Sequence, residues 1–199
     1  ILPQVAEGSL KMALGFAERQ SRYNLADVAT TAEASGGGYK LNGMKGVVFG
    51  APSAGKFVVS ARTSGGARDE DGITLFLVDG DAAGVSVRGY PTADGLRAGE
   101  LTLENVEVGT DAVVGPVGGG LAILEKTIDQ GIAAIAAEAT GAMSHLNDMT
   151  LEYIKTREQF GQPIGKFQVL QHRMVDMFIA HEEAKSMSLM AAMRIDEED

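Results

Sequence analysis

Residues 156–177 read TREQFGQPIGKFQVLQHRMVDM, and what stands on either side of them decides the fold. Upstream, Leu124, Ile128, Ile132, Ile135, Ala139, Met143, Leu146, Met149 and Tyr153 recur with the 3.6-residue period of a long amphipathic helix. Downstream, Leu170, Met174, Met177, Ala184 and Met187 mark a second helix that starts near Phe167 and runs to the chain end. Gly161, Pro163 and Gly165 between them are what a turn from one helix into the next requires. They leave Arg157, Phe160 and Gln168 unexplained. A guanidinium, an aromatic ring and an amide suit a ligand that carries phosphates and a flat heterocycle, because Arg pairs with phosphate, rings stack and amides read edges. An arginine at a helix end also serves as a partner for the helix dipole, and the spacing alone leaves both uses open.

Working outward toward the N-terminus, residues from about 14 to 114 have the signature of β structure. Residues 39–41, Asn42-Gly43 and residues 44–49 form the Asn-Gly hairpin signal, since both central turn residues reach positive φ at low cost there. Residues 57–63, 73–79, 85–90 and 100–108 follow as β-branched or alternating runs punctuated by Gly, Pro and Asp. Five or more short strands with no helix between them predict an antiparallel barrel or sandwich, not a βαβ sheet. Residues 115–120, GPVGGG, then read as a flexible joint before the first long helix. Gly131, Ala134, Ala137 and Gly141 on that helix predict close approach of another helix.

Composition sets the limits of this reading. The chain has 199 residues, 45% apolar and 22% charged, enough for one large or two small domains with a real core. Net charge is −10 with no Lys/Arg run, which argues against nucleic acid and against an acidic membrane surface as partners. No cysteine is present, so disulfides, zinc thiolates and thiol catalysis are excluded, and a cytoplasmic setting is the default. No apolar run reaches the roughly 18 residues that a membrane span needs, nor does a signal peptide open the chain. Position 1 is Ile, and the last helical pattern runs into residues 196–199 with no capping Gly or Pro. Both features predict a piece of a longer chain.

Three motifs fail on chemistry. Residues 50–57, GAPSAGKF, approach a phosphate-binding loop, but Phe57 has no hydroxyl for magnesium and a strand follows where a helix N-terminus belongs. Residues 115–120 open a helix as a dinucleotide fingerprint would, yet no βαβ unit surrounds them. His181-Glu182-Glu183-Ala184-Lys185 places a lysine where a zinc-protease helix needs its second histidine, so no metal site is expected.

The pattern Arg157-x-x-Phe160-Gly161-x-x-Ile164-x-x-x-Gln168-x-x-x-His172-x-x-x-Asp176-Met177 resembles the signature of the acyl-CoA dehydrogenase family. The likeness extends over nearly the whole chain. Leu2-Pro3-Gln4-Val5-Ala6-x-Gly8 resembles the entry into that family's middle domain, and Thr30-Thr31-Ala32 with Tyr39-x-Leu41-Asn42-Gly43-x-Lys45 resembles its first strands. Within the family, residues 21–32 are most similar to small subunits of the pimeloyl-CoA dehydrogenase type. The resemblance implies an α+β multidomain fold: an antiparallel β-barrel or sandwich over residues 1–115, then over 116–199 the first two antiparallel helices of an incomplete four-helix bundle. It also implies FAD as cofactor, an acyl-CoA as substrate, and assembly as a homo- or hetero-oligomeric dimer or tetramer. Arg157 and Phe160, joined by Gln168, would then hold the pyrophosphate and adenine side of a neighbouring subunit's FAD.

The sequence departs from the family pattern near the flavin ring. Residues 15–24 stand where A-x-T-E-P-x-x-G-S-D is usual, so Ala17 replaces a threonine; residues 47–50 stand where W-I-[ST]-N is usual, so Phe49 replaces a second hydroxyl. Main-chain N–H groups at Ala17 and Phe49 remain as donors to a flavin edge, since they do not depend on side-chain identity. Where some members carry the catalytic glutamate this chain has Gly131, in most others the resemblance implies a glutamate beyond residue 199, and a solvated helix face accounts for Asp129 and Glu138. No residue is therefore assigned as catalytic. Two functions follow from the resemblance, a flavin-dependent acyl-CoA dehydrogenase and a non-catalytic partner subunit that completes a sister chain's flavin site.

Overall fold

The alternating and fully apolar runs of the first half fold into one twisted sheet. In the computed structural model, which describes residues 1–195 and 197, the strands are β1 (Met12–Gly15), β2 (Thr31–Ser35), β3 (Gly38–Phe49), β4 (Lys56–Arg62), β5 (Ile73–Asp79), β6 (Val85–Pro91), β7 (Arg97–Gly109) and β8 (Val113–Val114). A short helix, α1 (Leu2–Ala6), precedes them. Their order is β6-β7-β3-β2-β4-β5-β8, with β1 added beside β4. Most pairs are antiparallel, as expected, but β1 and β2 each run parallel to β4. The chain leaves β4's edge after Gly15 and returns to the same edge at Thr31, which gives both strands one direction. The sheet curls: a Cβ placed on Gly15 of β1 would lie 3.3 Å from the Lys45 side chain of β3 and 3.5 Å from Leu101 of β7.

Leu41, Val48, Phe57, Val59, Phe76, Val78, Leu101 and Val106 fill the interior. Tyr39 meets Phe76 edge-on, ring centroids 5.0 Å apart, a geometry that the aromatic quadrupole favours. At the end of β4 the buried Arg62 guanidinium donates to the carbonyls of Ala26, Ala67, Asp69 and Asp71 and so pins the loop that leads into β5.

Two sequence expectations are corrected in this sheet. Asn42-Gly43 is not a hairpin turn; β3 continues through it and the turn lies at Gly36-Gly37, between β2 and β3. Asn42 and Gly43 form an irregularity against β7, where Asn42 Oδ1 accepts the Asn105 N–H at 2.8 Å. Thr30 packs so closely on Gly43 that a Cβ there would fall 2.5 Å from its hydroxyl. Close approach, not a reversal of the chain, requires this glycine. The glycines of residues 115–120 are also no flexible joint. Gly118 N–H donates to Thr74 Oγ1 at 2.8 Å, Gly72 N–H donates to Gly118 C=O at 3.0 Å, and a Cβ on Gly120 would meet the Ile73 carbonyl at 2.9 Å. They let the chain lie flat on β5. The loop at residues 50–55 contains a 3-10 turn, Ala51–Ser53, and leads directly into β4.

The chain divides into two compact units, Ile1–Glu125 and Lys126–Asp199. The second contains most of α2 (Gly120–Thr156), a two-stranded ribbon of β9 (Glu158–Gln159) and β10 (Gln162–Pro163), and α3 (Gln168–Arg194). The helices are antiparallel, and Asn147 Nδ2 of α2 donates to the Met177 carbonyl of α3 at 3.4 Å. Nothing lies within 4 Å of a Cβ built on Gly131 or Gly141, so within the described residues no helix makes the close approach expected there. The run-on of the second helix into residues 196–199 lies outside the described residues apart from Glu197.

Candidate functional site

The turn between α2 and α3 is a small β-hairpin, not an irregular connection. Gln162 pairs with Gln159 and Pro163 with Glu158, and the two residues between have positive φ, 55° at Phe160 and 74° at Gly161. Positive φ at both central positions matches a type I′ turn, the reversal that suits twisted strands. Glycine takes that conformation freely, whereas a phenylalanine in it is an outlier. The ring of Phe160 is 92% exposed and meets Phe167 edge-on at 6.1 Å. An aromatic side chain held in a strained conformation and turned to the outside is an observation that points to a contact surface.

Arg157 anchors the hairpin through its main chain: its N–H donates to the Tyr153 carbonyl, and its own carbonyl accepts the Ile164 N–H, both at 2.8 Å. Its guanidinium is exposed and has no ion-pair partner among the described residues. Gln168 opens α3 directly after Phe167 and is exposed as well. Arg157, Phe160 and Gln168 thus stand exposed on one short connection. Beside it lies a cavity of about 490 Å³ walled by Leu151, Ile154, Pro163 and Met174, with the exposed Lys155 and Lys166 among its lining.

Ala17 and Phe49 belong to the other unit and share an edge of β3. Gly46 N–H donates to the Ala17 carbonyl at 2.8 Å, which brings Ala17 to the side of β3 away from β7. Gly50 N–H donates to Arg97 C=O of β7 at 2.9 Å, and Phe49 is in register with Ala98. In an antiparallel ladder the N–H groups alternate in direction, so that of Phe49 points to the Ala17 side. The Phe49 and Val47 side chains are 62% and 52% exposed. Val47 has φ 48°, a marked outlier for a β-branched residue, at the second irregularity of β3. An apolar surface next to an outward-directed main-chain donor is the chemistry that a flat heterocycle with acceptor atoms on its rim would meet.

Beneath that edge lies a polar centre that the sequence reading missed. Lys45 Nζ is 2.6 Å from Glu18 Oε1 and 3.1 Å from Ser60 Oγ of β4, with the Lys45 side chain fully buried. Glu18 Oε1 also accepts from Thr30 Oγ1 at 2.7 Å and Thr30 N–H at 3.1 Å; Oε2 accepts from Gln20 Nε2 at 2.8 Å and Ala29 N–H at 2.9 Å. Burial alone would raise the Glu18 pKa, but the Lys45 charge and the hydrogen bonds from Lys45, Gln20 and Thr30 outweigh it and hold the group at about 2. Burial pulls Lys45 down to about 8 against the opposing pull of Glu18. A signal for Lys45 existed: it stands four residues after the inward-facing Leu41 in the same strand.

Comparison with known proteins agrees with this architecture. Residues 13–106 match the family described as acyl-CoA dehydrogenase, middle domain, and residues 118–199 match acyl-CoA dehydrogenase, C-terminal domain. The chain belongs to the acyl-CoA dehydrogenase family. It is 32% identical over 204 residues to the 3-(aryl)acrylate reductase of Clostridium sporogenes (strain ATCC 15579), covering 98% of this chain and 52% of the relative. It is 37% identical over 166 residues to the mitochondrial short/branched chain specific acyl-CoA dehydrogenase of Bos taurus, covering 82% of this chain and 38% of the relative. Among solved structures, the FAD complex of PigA superposes with a TM-score of 0.92 at 28% identity, over 98% of this chain and 51% of that one. The chain spans about half the length of these relatives or less.

Proposed function

We propose that this chain forms part of an FAD-dependent acyl-CoA dehydrogenase that removes hydrogen from the α and β carbons of an acyl-CoA thioester. The observation that carries the reading is the β3 edge, where the Phe49 N–H points away from β7 beside exposed apolar side chains and Ala17 is held alongside by the Gly46 N–H. These residues fit a flavin rim, the main-chain donors taking the part of the hydroxyls absent at Ala17 and Phe49. Arg157, Phe160 and Gln168 fit the far end of such a cofactor, the fork of Arg157 meeting phosphate and the Phe160 ring meeting a base. In this reading they serve the cofactor of a neighbouring subunit in a dimer or tetramer, and the working domain boundary falls near residue 115. The bound flavin would supply the hydride acceptor. What this chain contributes is orientation and exclusion of water. Among the described residues no helix is long and apolar enough to cross a membrane.

A second reading, a non-catalytic subunit that completes a sister chain's flavin site, is favoured by the hydroxyls lost at Ala17 and Phe49. The two are separated by FAD content and turnover of the full chain in its native assembly. Flavin absorbance with acyl-CoA-dependent reduction of an artificial acceptor supports the enzyme; absence of both, with restored flavin binding on mixing with a related chain, supports the partner subunit. Tight FAD binding without any acyl-CoA-dependent reduction would overturn the dehydrogenase.

A further inference from the structure

The buried ion pair has no part in the reading above, although Glu18 follows Ala17 and Lys45 precedes Gly46, the two residues whose main chains bond at the β3 edge. Removing two charges from water costs about as much as their attraction returns, so a pair of this kind is explained by what it holds in place and not by stability alone. What it holds can be followed atom by atom. The Glu18 carboxylate accepts five hydrogen bonds, among them the N–H groups of Ala29 and Thr30, and so ties both ends of the excursion between β1 and β2 together. Lys45, fixed in turn by Ser60, is the last residue of β3 before its second irregularity. Gly46 follows and bonds Ala17; Val47 follows that in the left-handed region. A conformation so unfavourable for valine persists only where the surroundings over-determine it.

We propose that Glu18 and Lys45 are positioning residues, a clamp that holds the strained bulge at Gly46 and Val47 against Ala17 and thereby aims the Phe49 N–H at the rim of a bound flat heterocycle. The inference rests on the flavin reading of this edge. The clamp takes over the task of side-chain hydroxyls: with only main-chain donors available, the direction of those donors must be fixed by the strand itself.

The test uses the full chain in its native assembly, with amide hydrogen exchange at Gly46 and FAD retained after dialysis as the two readouts. In the wild type Gly46 exchanges as slowly as core amides such as that of Phe76. Loop-like exchange at Gly46 would overturn the proposal before any variant is made. Glu18→Gln and Lys45→Met each accelerate Gly46 exchange and weaken FAD binding by about tenfold or more, the size expected for losing a charged hydrogen bond. Glycine takes positive φ without a clamp, so Val47→Gly added to Glu18→Gln recovers most of the lost FAD affinity. A loss that Val47→Gly does not recover would show that the pair serves only general stability. Should the wild type retain no FAD, the flavin reading fails, and the protection of Gly46 still decides whether the clamp exists.

Discussion

The sheet unit and the helix pair draw on the same apolar residue types and use them in opposite ways. In the sheet, Phe57, Val59, Phe76, Val78 and Leu101 are completely removed from solvent. In the helices, Ile135 is 67% exposed, Val169 63% and Met193 73%, and α3 has no buried residue. The difference lies in geometry. A sheet that curls on itself supplies both walls of its core from one length of chain, whereas two antiparallel helices can shield only the stripe where they touch. The sheet unit therefore carries its own stabilisation, and the outer faces of α2 and α3 are apolar surface that awaits cover.

The largest expected effect tests that contrast directly. Phe57→Ala leaves a hole in a filled core and costs about 3–5 kcal/mol. Ile135→Ala on the open face of α2 changes the unfolding free energy of the chain by less than about 0.5 kcal/mol, the usual range for surface positions. Urea unfolding of both variants measures the difference. Comparable losses at the two sites would mean that the face of α2 is already covered, for instance by a second copy.

The same contrast governs what was legible in the sequence. Residues 73–79 and the two long helices could be read because their patterns are local: a continuous apolar run, and a 3.6-residue period. The reading failed where one residue type has two uses. Asn42-Gly43 has the composition of a hairpin turn, and only the approach of the more distant Thr30 shows that close packing and not a turn requires the glycine. In residues 115–120 glycine marks contact with β5, which no local signal separates from flexibility. Arg157, Phe160 and Gln168 stood out because a turn did not need them. Glu18 and Lys45 lie 27 residues apart and meet only after the sheet has formed. The strain at Val47 and Phe160 belongs to the backbone and has no sequence signature of its own.

A second prediction concerns the charged centre of the sheet. Glu18 has its folded pKa lowered, from 4.5 to about 2, so the stability it contributes is fully present above pH 4.5 and is lost as pH falls through about 2. The amount is on the order of 3 kcal/mol. Lys45→Met removes the charge that lowers this pKa and leaves burial opposed only by the hydrogen bonds from Gln20 and Thr30, so the pKa rises from its wild-type value. The variant should therefore be destabilised at neutral pH and lose less further stability than the wild type as pH falls below 4.5, a shallower slope. Thermal unfolding between pH 3 and 7 measures both. Parallel slopes in the two proteins would mean that Lys45 does not set the ionisation of Glu18.

In the helix unit the informative side chains face outward, so substitution should alter binding and spare folding. Arg157→Ala weakens FAD retention in the native assembly by about 1.5–3 kcal/mol, the range for a hydrogen bond to a charged group. Arg157→Lys recovers only part, because an ammonium cannot reproduce the guanidinium fork. Gln168→Ala acts in the same direction and less, being neutral. Flavin absorbance per chain after dialysis reads all three; full retention in Arg157→Ala would reduce the arginine to a helix-end charge.

A small effect on stability is expected at the exposed ring of the hairpin. Phe160 stands in the left-handed region at φ 55°, where asparagine is at ease and phenylalanine is strained. Phe160→Asn relieves that strain and gives up the edge-on contact with Phe167, a pair of a kind worth about 0.5–1.5 kcal/mol. The two terms have similar size and opposite sign, so the unfolding free energy should move by less than about 1 kcal/mol. FAD retention should nevertheless fall, because no aromatic face is left to meet a base. Separate outcomes for stability and binding would establish that the strain is kept for the sake of the exposed ring. A clear loss of stability with unchanged FAD retention would show instead that Phe160 is held at the tip of the hairpin by its packing on Phe167.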